Sequence, residues 1–290
     1  TETRDDRFRR EMLHRFPLHN YQRNAPILQK IRGIKEQTEI EIMRHACGIT
    51  EKGFRRILSF VKPNVIEYEI EAEFIHEFVR NGSRGFAYEP IIASGENACV
   101  LHYIQNNNIC KDGDVILLDV GAEYAGYASD MSRTIPVNGK FTARQKDVYN
   151  AVLRVMKAAT SMLVVGNTIP KYHEEVGKVM EKELIGLGLL NAAEVAKQDP
   201  KMPLYKKYFM HGTSHFLGLD VHDIGNRYLP MQAGMVFTCE PGIYIPEENL
   251  GIRIENDILI TEKGPVDLME SIPVEVDEIE SLKKKKKVAV

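Results

Sequence analysis

Apolar positions recur at helical spacing over several long stretches of this chain. From about Gln37 to about Phe60, Ile42, Ala46, Ile49 and Ile57, with Val61 just beyond, predict one long amphipathic helix. "IEYEIEAEFIHEFVRNGS" predicts a second, closed by Asn81-Gly82. "FAYEPIIASGENACVLHY" is strand-like and punctuated by glycine. "TARQKDVYNAVLRVMKAATSML" predicts a third helix capped by Thr142. "PKYHEEVGKVMEKELIGLGL" opens on Pro170, a residue favoured near a helix N-terminus. From about Met210 to Val266 short apolar runs alternate with Gly and Pro, as antiparallel strands do. Two rounds of helices followed by acid-bearing strands allow a twofold internal resemblance, although no sequence repeat marks it.

The strand pattern is broken at particular places. In "VILLDVGAEYAGYASDMSRTIPV" (115–137) an apolar run ends on Asp119, the chain turns, and Asp130 lies on the way back. In "MVFTCEPGIYIPEENLGIRIENDILIT" Glu240 ends one apolar run and Glu255 interrupts the next. A hairpin pivoting near Tyr124-Ala125 sets Asp119 opposite Asp130. One pivoting near Glu247-Glu248 sets Glu240 opposite Glu255. Opposed residues on paired strands have Cβ atoms only about 4.5–5.5 Å apart, where like charges repel. Buried neighbouring carboxylates must protonate, pair with Lys or Arg, or bind a cation. One pair would suit a glycosidase or an aspartic-protease dyad. Four acids on two hairpins exceed that need, and oxygen donors with an imidazole suit Mn, Fe, Co or Zn in a dinuclear site. Against this stands the plainer reading of each acid, taken singly, as a strand-end charge facing water.

The imidazole candidates crowd into "FMHGTSHFLGLDVHD", where His211, His215 and His222 fall close together, and His102 precedes the first acid-bearing strand. "HEFVR" and "HEEVG" lack the second His of a zinc helix, "GLGLLN" lacks the third Gly of a nucleotide loop, and no nucleophile elbow occurs.

Composition narrows the class. The 290 residues are 43% hydrophobic and 27% charged with a formal net charge of −3, an ordinary globular balance that argues against a nucleic-acid partner. No apolar stretch is long enough to span a bilayer, so no membrane partner is expected. The charged N-terminus lacks the apolar core of a signal peptide and an initiator Met, as expected of a processed chain or a fragment. Cys47, Cys99, Cys110 and Cys239 form no CxxC pair and read as reduced thiols of a cytoplasmic protein. Residues 1–35 are expected to form an arm, 36–280 the main folded domain and 281–290 a basic, solvated tail.

"LLDVGAEYAGYASDMSRT", "HGTSHFLGLDVHD", "EPGIYIP" and "GIRIENDILIT", in this order, resemble the pita-bread metallopeptidases and, within them, aminopeptidase P, the Xaa-Pro aminopeptidases. The similarity runs from about Lys35 to about Ile279. It implies an α+β fold of two pseudo-symmetric halves, with a curved antiparallel sheet and flanking helices. It implies two divalent metal ions, manganese first with cobalt or zinc as substitutes, held by Asp119, Asp130, His215, Glu240 and Glu255. Asp130 and Glu255 would bridge the ions. Among the catalytic residues, Glu240 would relay a proton, His222 and His102 would attend the scissile carbonyl, and His211 would shape the proline site. Arg253 would orient carboxylates, and Tyr88 and Tyr244 would line the substrate pocket, with core packing the alternative for both tyrosines. The implied reaction removes the first residue from peptides with proline in the second position.

Prolidase, acting on Xaa-Pro dipeptides, is the alternative enzyme, and a non-catalytic pita-bread binding module the alternative class. Aminopeptidase P typically carries an N-terminal domain, reduced here to some 35 residues, as a fragment or a short form would have it. That domain supports oligomerisation in the family, so a homo-oligomer is an open expectation.

Overall fold

The computed structural model describes residues 2–284. Helices α1 (Arg4–Arg15) and α2 (Ala25–Gly33) occupy the N-terminal segment expected as an arm. The first half follows: α3 (Gln37–Phe60), α4 (Glu67–Arg80), β1 (Ile91–Ser94), β2 (Val115–Val120), β3 (Glu123–Tyr124), β4 (Tyr127–Ala128) and β5 (Met131–Pro136). The second repeats that plan: α5 (Ala143–Met162), α6 (Ile169–Gly186), the short α7 (Ala192–Val195), then β6 (Val236–Cys239), β7 (Gly242–Ile245), β8 (Leu250–Arg253), β9 (Asn256–Thr261) and β10 (Gly264–Asp267). Helix α8 (Val276–Lys284) follows, so residues 281–284 of the expected basic tail are helical. The rest of that tail, 285–290, lies outside the described residues.

Each half is a helix pair on a three-stranded antiparallel sheet, β1-β2-β5 in one and β10-β9-β6 in the other, each with a two-stranded hairpin beside it. This is the pita-bread α+β fold. The helices form where the pattern places them. Thr142 caps α5 in a reciprocal box with Gln145, whose N–H reaches Thr142 Oγ1 at 3.2 Å while its Oε1 accepts from Thr142 N at 2.8 Å. Helix α3 buries Ile40, Met43, Cys47, Thr50 and Phe54 on one stripe, whereas Ile42, expected in that stripe, is only half-buried. Among the described residues, no helix is long and apolar enough to cross a membrane.

The first hairpin differs from its expected register. Its centre is Ala125-Gly126, with φ of 50° and 88°, where a two-residue turn matching the twist of its strands needs positive φ. Tyr124 therefore pairs with Tyr127, and Asp119 with Ser132 rather than Asp130. The second hairpin keeps the expected frame, since Gly242 pairs with Arg253 and Cys239 with Asn256, which brackets Glu240 and Glu255.

The halves meet where β5 runs beside the β8–β9 connection. Glu255 N donates to Ser132 O at 3.0 Å, and Arg253 N to Thr134 Oγ1 at 3.2 Å. Arg133, fully buried, donates to the carbonyls of Ser132 and Glu255 at 2.9 and 2.7 Å. A buried guanidinium is tolerable only with its donors matched, and here carbonyl oxygens match them.

Candidate active site

A cavity of about 600 Å³ opens at this seam, lined by Asp119, Asp130, His215, Glu240 and Glu255 together with His102, His211, His222, Tyr88 and Arg253. Tyr244, expected in the pocket wall, instead lies behind His211 and is fully buried.

Asp119 is the penultimate residue of β2 and Asp130 leads into β5, so the first sheet presents both. Residues 213–217 run antiparallel to β6, with Thr238 N donating to His215 O at 3.0 Å and Glu240 N to Thr213 O at 2.9 Å. That pairing brings His215 beside Glu240. One ligand atom each of Asp130, His215 and Glu255 lies within 4.8 Å of the others. His215 Nε2 is 3.5 Å from Asp130 Oδ2 and 3.7 Å from Glu240 Oε1.

Arg253 organises the remainder. It donates through Nη2 to Asp119 Oδ2 at 2.5 Å, through Nε to Ser132 Oγ at 2.9 Å and through Nη1 to Tyr244 Oη at 2.8 Å. Ser132 Oγ donates in turn to Glu255 Oε2 at 2.6 Å. Tyr88 Oη sits 2.7 Å from Asp119 Oδ1 and 2.5 Å from Asp130 Oδ1, so it bridges two acids besides lining the wall. His211 Nδ1 faces Gly212 O at 2.8 Å and must carry the proton, which leaves Nε2 to accept from Tyr244 Oη at 2.8 Å.

The electrostatics follow from burial. Glu255 and Asp119 are both pushed upward, first by desolvation; neighbouring carboxylates raise them further, while Arg253 opposes. Glu240 rises to about 7, by burial above all, against the pull of His215 and Arg253. Burial works against a charged His215, yet Asp130 and Glu240 outweigh it and lift the imidazole to about 9. Burial, then Arg253, lowers His211 to about 3, so its 3.7 Å approach to Glu240 is no ion pair. Burial, then His215, also lowers His222.

Three participants went unread in the sequence. Ser132 and Arg133 stand in a strand whose residues 131–136 are all buried, and consecutive polar residues in a buried strand are the available signal. Asp257, wholly buried, accepts from Asp130 N at 3.1 Å and from Cys47 Sγ at 3.4 Å. It is the second acid in "RIEND", masked by its closeness to Glu255. A further unread acid, Glu67 on α4, shapes the rim: it accepts from Ser94 N and Oγ, from Tyr103 Oη and from Asn108 N, all at 2.7–2.9 Å, and so holds the loop that carries His102.

The sequence profile of metallopeptidase family M24 matches residues 41–262. This chain belongs to metallopeptidase family M24. As an M24 chain it is 41% identical over 271 residues to a Xaa-Pro aminopeptidase of Escherichia coli (strain K12), covering 89% of this chain and 60% of that one. It is 40% identical over 269 residues to a Xaa-Pro aminopeptidase of Haemophilus influenzae, covering 89% and 62%. It superposes with a TM-score of 0.84, at 40% identity, on aminopeptidase P from E. coli with the inhibitor Pro-Leu, covering 90% of this chain and 62% of that one. The chain thus spans about 60% of the length of these relatives. Divalent metal ions belong to the family's chemistry, and this donor set fits them: carboxylates and an imidazole converge, buried, with more acid than Arg253 can neutralise.

Proposed function

We propose that this M24 chain carries the catalytic site of a dinuclear Xaa-Pro aminopeptidase. The observation that supports it most is the convergence of Asp130, His215 and Glu255 within 4.8 Å, inside a cavity also lined by Asp119, Glu240 and three further histidines. Asp119, Asp130, His215, Glu240 and Glu255 would hold two divalent ions, manganese first. Such ions supply Lewis acidity and bring the pKa of a coordinated water toward neutrality.

The chain's own groups have the following parts. Glu240, set beside His215 on the cavity wall, is placed to take a proton from attacking water and return it to the proline nitrogen as the C–N bond breaks. His222 and His102 line the same cavity and can donate to the scissile carbonyl as charge grows on its oxygen. His211 stays neutral and fixed in one tautomer by Gly212 and Tyr244, so it forms a rigid, uncharged wall suited to a proline ring. Ile91, Leu101, Ile104 and Val221 add apolar surface. Four free cysteines suit a reducing, cytoplasmic setting.

The test is cleavage of a Xaa-Pro tripeptide, compared with the Xaa-Pro dipeptide, by chelator-stripped protein before and after manganese is restored. Release of the first residue from the tripeptide, dependent on metal, is expected. Cleavage of the dipeptide alone would make it a prolidase, and cleavage of neither peptide with manganese restored would point to a binding module.

A further inference from the structure

His222 makes no hydrogen bond among the described residues; its ring rests edge-on against His215, with centroids 4.4 Å apart and planes at 83°. Its placement is therefore decided by the backbone on either side, and both sides are tethered. Arg32 Nη2 lies 2.6 Å from Asp220 Oδ2 and also pairs with Asp223. Lys35 Nζ is 3.4 Å from Asp223 Oδ2, and the two side chains are each only 1% exposed. Asp223 further accepts from Ile224 N at 2.7 Å and donates its own N–H to Phe216 O at 2.9 Å. The pair fits because residue 218 is glycine: a Cβ there would sit 2.2 Å from Asp223 Oδ2 and 2.9 Å from Lys35 Cε. Lys35 is in turn fixed by its N–H to Gly234 O at 2.8 Å.

We propose that Arg32 and Lys35, which precede the residues matched to the family, position His222 through this buried ion cluster around Asp223. The inference rests on the peptidase reading for what His222 does, though not for how it is held. Ions taken out of water are costly unless paired, and loss of one partner leaves the other uncompensated. The His222 loop can then adopt few arrangements other than the one that meets Arg32 and Lys35. Two segments some 190 residues apart are locked by charge, and the catalytic imidazole lies between the two locked aspartates.

The test uses the full chain with manganese restored and Lys35→Met, with Arg32→Gln as the milder variant should the first fail to fold. We expect kcat on a Xaa-Pro tripeptide to fall about 10–100-fold, the range for outer supports of a metal site. KM and the stoichiometry of manganese binding should stay unchanged. The double variant Lys35→Met/His222→Ala should be no slower than His222→Ala alone. Hydrogen exchange of amides 220–224 should quicken in Lys35→Met while the core stays protected. Losses that multiply in the double variant, or unaltered exchange at 220–224, would overturn the proposal. Should the wild-type chain cleave no Xaa-Pro peptide, the peptidase reading fails, and the exchange measurement still decides the tether.

Discussion

Arg253 and Asp119, on different halves of the fold and 134 residues apart, form a buried pair with Nη2 2.5 Å from Oδ2. The same guanidinium reaches Ser132 and Tyr244, and through them Glu255 and His211. One cation therefore orients donors from both sheets. Arg253→Met should lower stability by about 3–5 kcal/mol, because Asp119 is left charged and unpaired. Denaturant unfolding of the metal-stripped protein reads that loss. A change within error would mean that the pair is spent on something other than holding the halves together.

Asp130→Ala should abolish both peptidase activity and metal retention, because this carboxylate lies within ligand distance of His215 and Glu255. Metal analysis of the purified variant decides it: full metal content would refute the ligand assignment.

His222→Ala separates the other way. Its side chain faces the cavity without belonging to the tight cluster, so turnover should slow about 10²–10³-fold, as when one oxyanion donor is removed. Metal should stay bound, and metal loss in this variant would move His222 into the ligand set.

The metal-stripped protein should lose stability as pH rises from about 7 to 9. Glu240 in the folded state holds its proton to about 7, against an ordinary value of 4.5, so folding takes up protons between those limits. His215, raised to about 9 from 6.5, contributes stability that is complete below 6.5 and is lost through about 9. Both groups bind more protons folded than unfolded, so the slope of stability against pH is negative. Below 6.5 the lowered His211 and His222 bind fewer protons folded than unfolded and oppose this slope, so the clean window is about pH 7 to 9, where thermal melts in chelator should show Tm falling. Manganese should flatten the trend, because ligands must shed protons to bind it. A Tm that rises between about pH 7 and 9 in chelator would contradict the burial of Glu240 and the pairing of His215 with Asp130 and Glu240.

Glu67→Ala removes the acceptor for four hydrogen bonds at once: Ser94 N and Oγ lose theirs, and Tyr103 Oη keeps only its 3.4 Å contact with Asn107 Oδ1. Each unmet buried group costs about 1–3 kcal/mol, so a loss of several kcal/mol is expected in denaturant unfolding. The substrate KM should rise too, since Leu101, His102 and Ile104 line the cavity from this loop. Unchanged KM would mean that the loop keeps its place without Glu67.

Short-range physics was legible in the chain. Helical periodicity and the Thr142 cap placed α3, α4 and α5, and the polar break at Glu247-Glu248 set the frame in which Glu240 faces Glu255. Acids interrupting apolar runs, and histidines clustered between 211 and 222, marked residues that the fold gathers round one cavity. The first hairpin was misjudged by one residue on each strand, because its pivot depends on two successive positive-φ residues, and Ala125 does not advertise that conformation. What only the tertiary structure decided is how the halves meet: Arg253 on Asp119, Arg133 under Glu255, Asp257 behind Asp130, and Arg32 with Lys35 on Asp223. These contacts join residues 100 or more positions apart, and no local period or turn signal encodes them. They arise when segments distant in the chain bury polar groups against each other and buried charges must find partners.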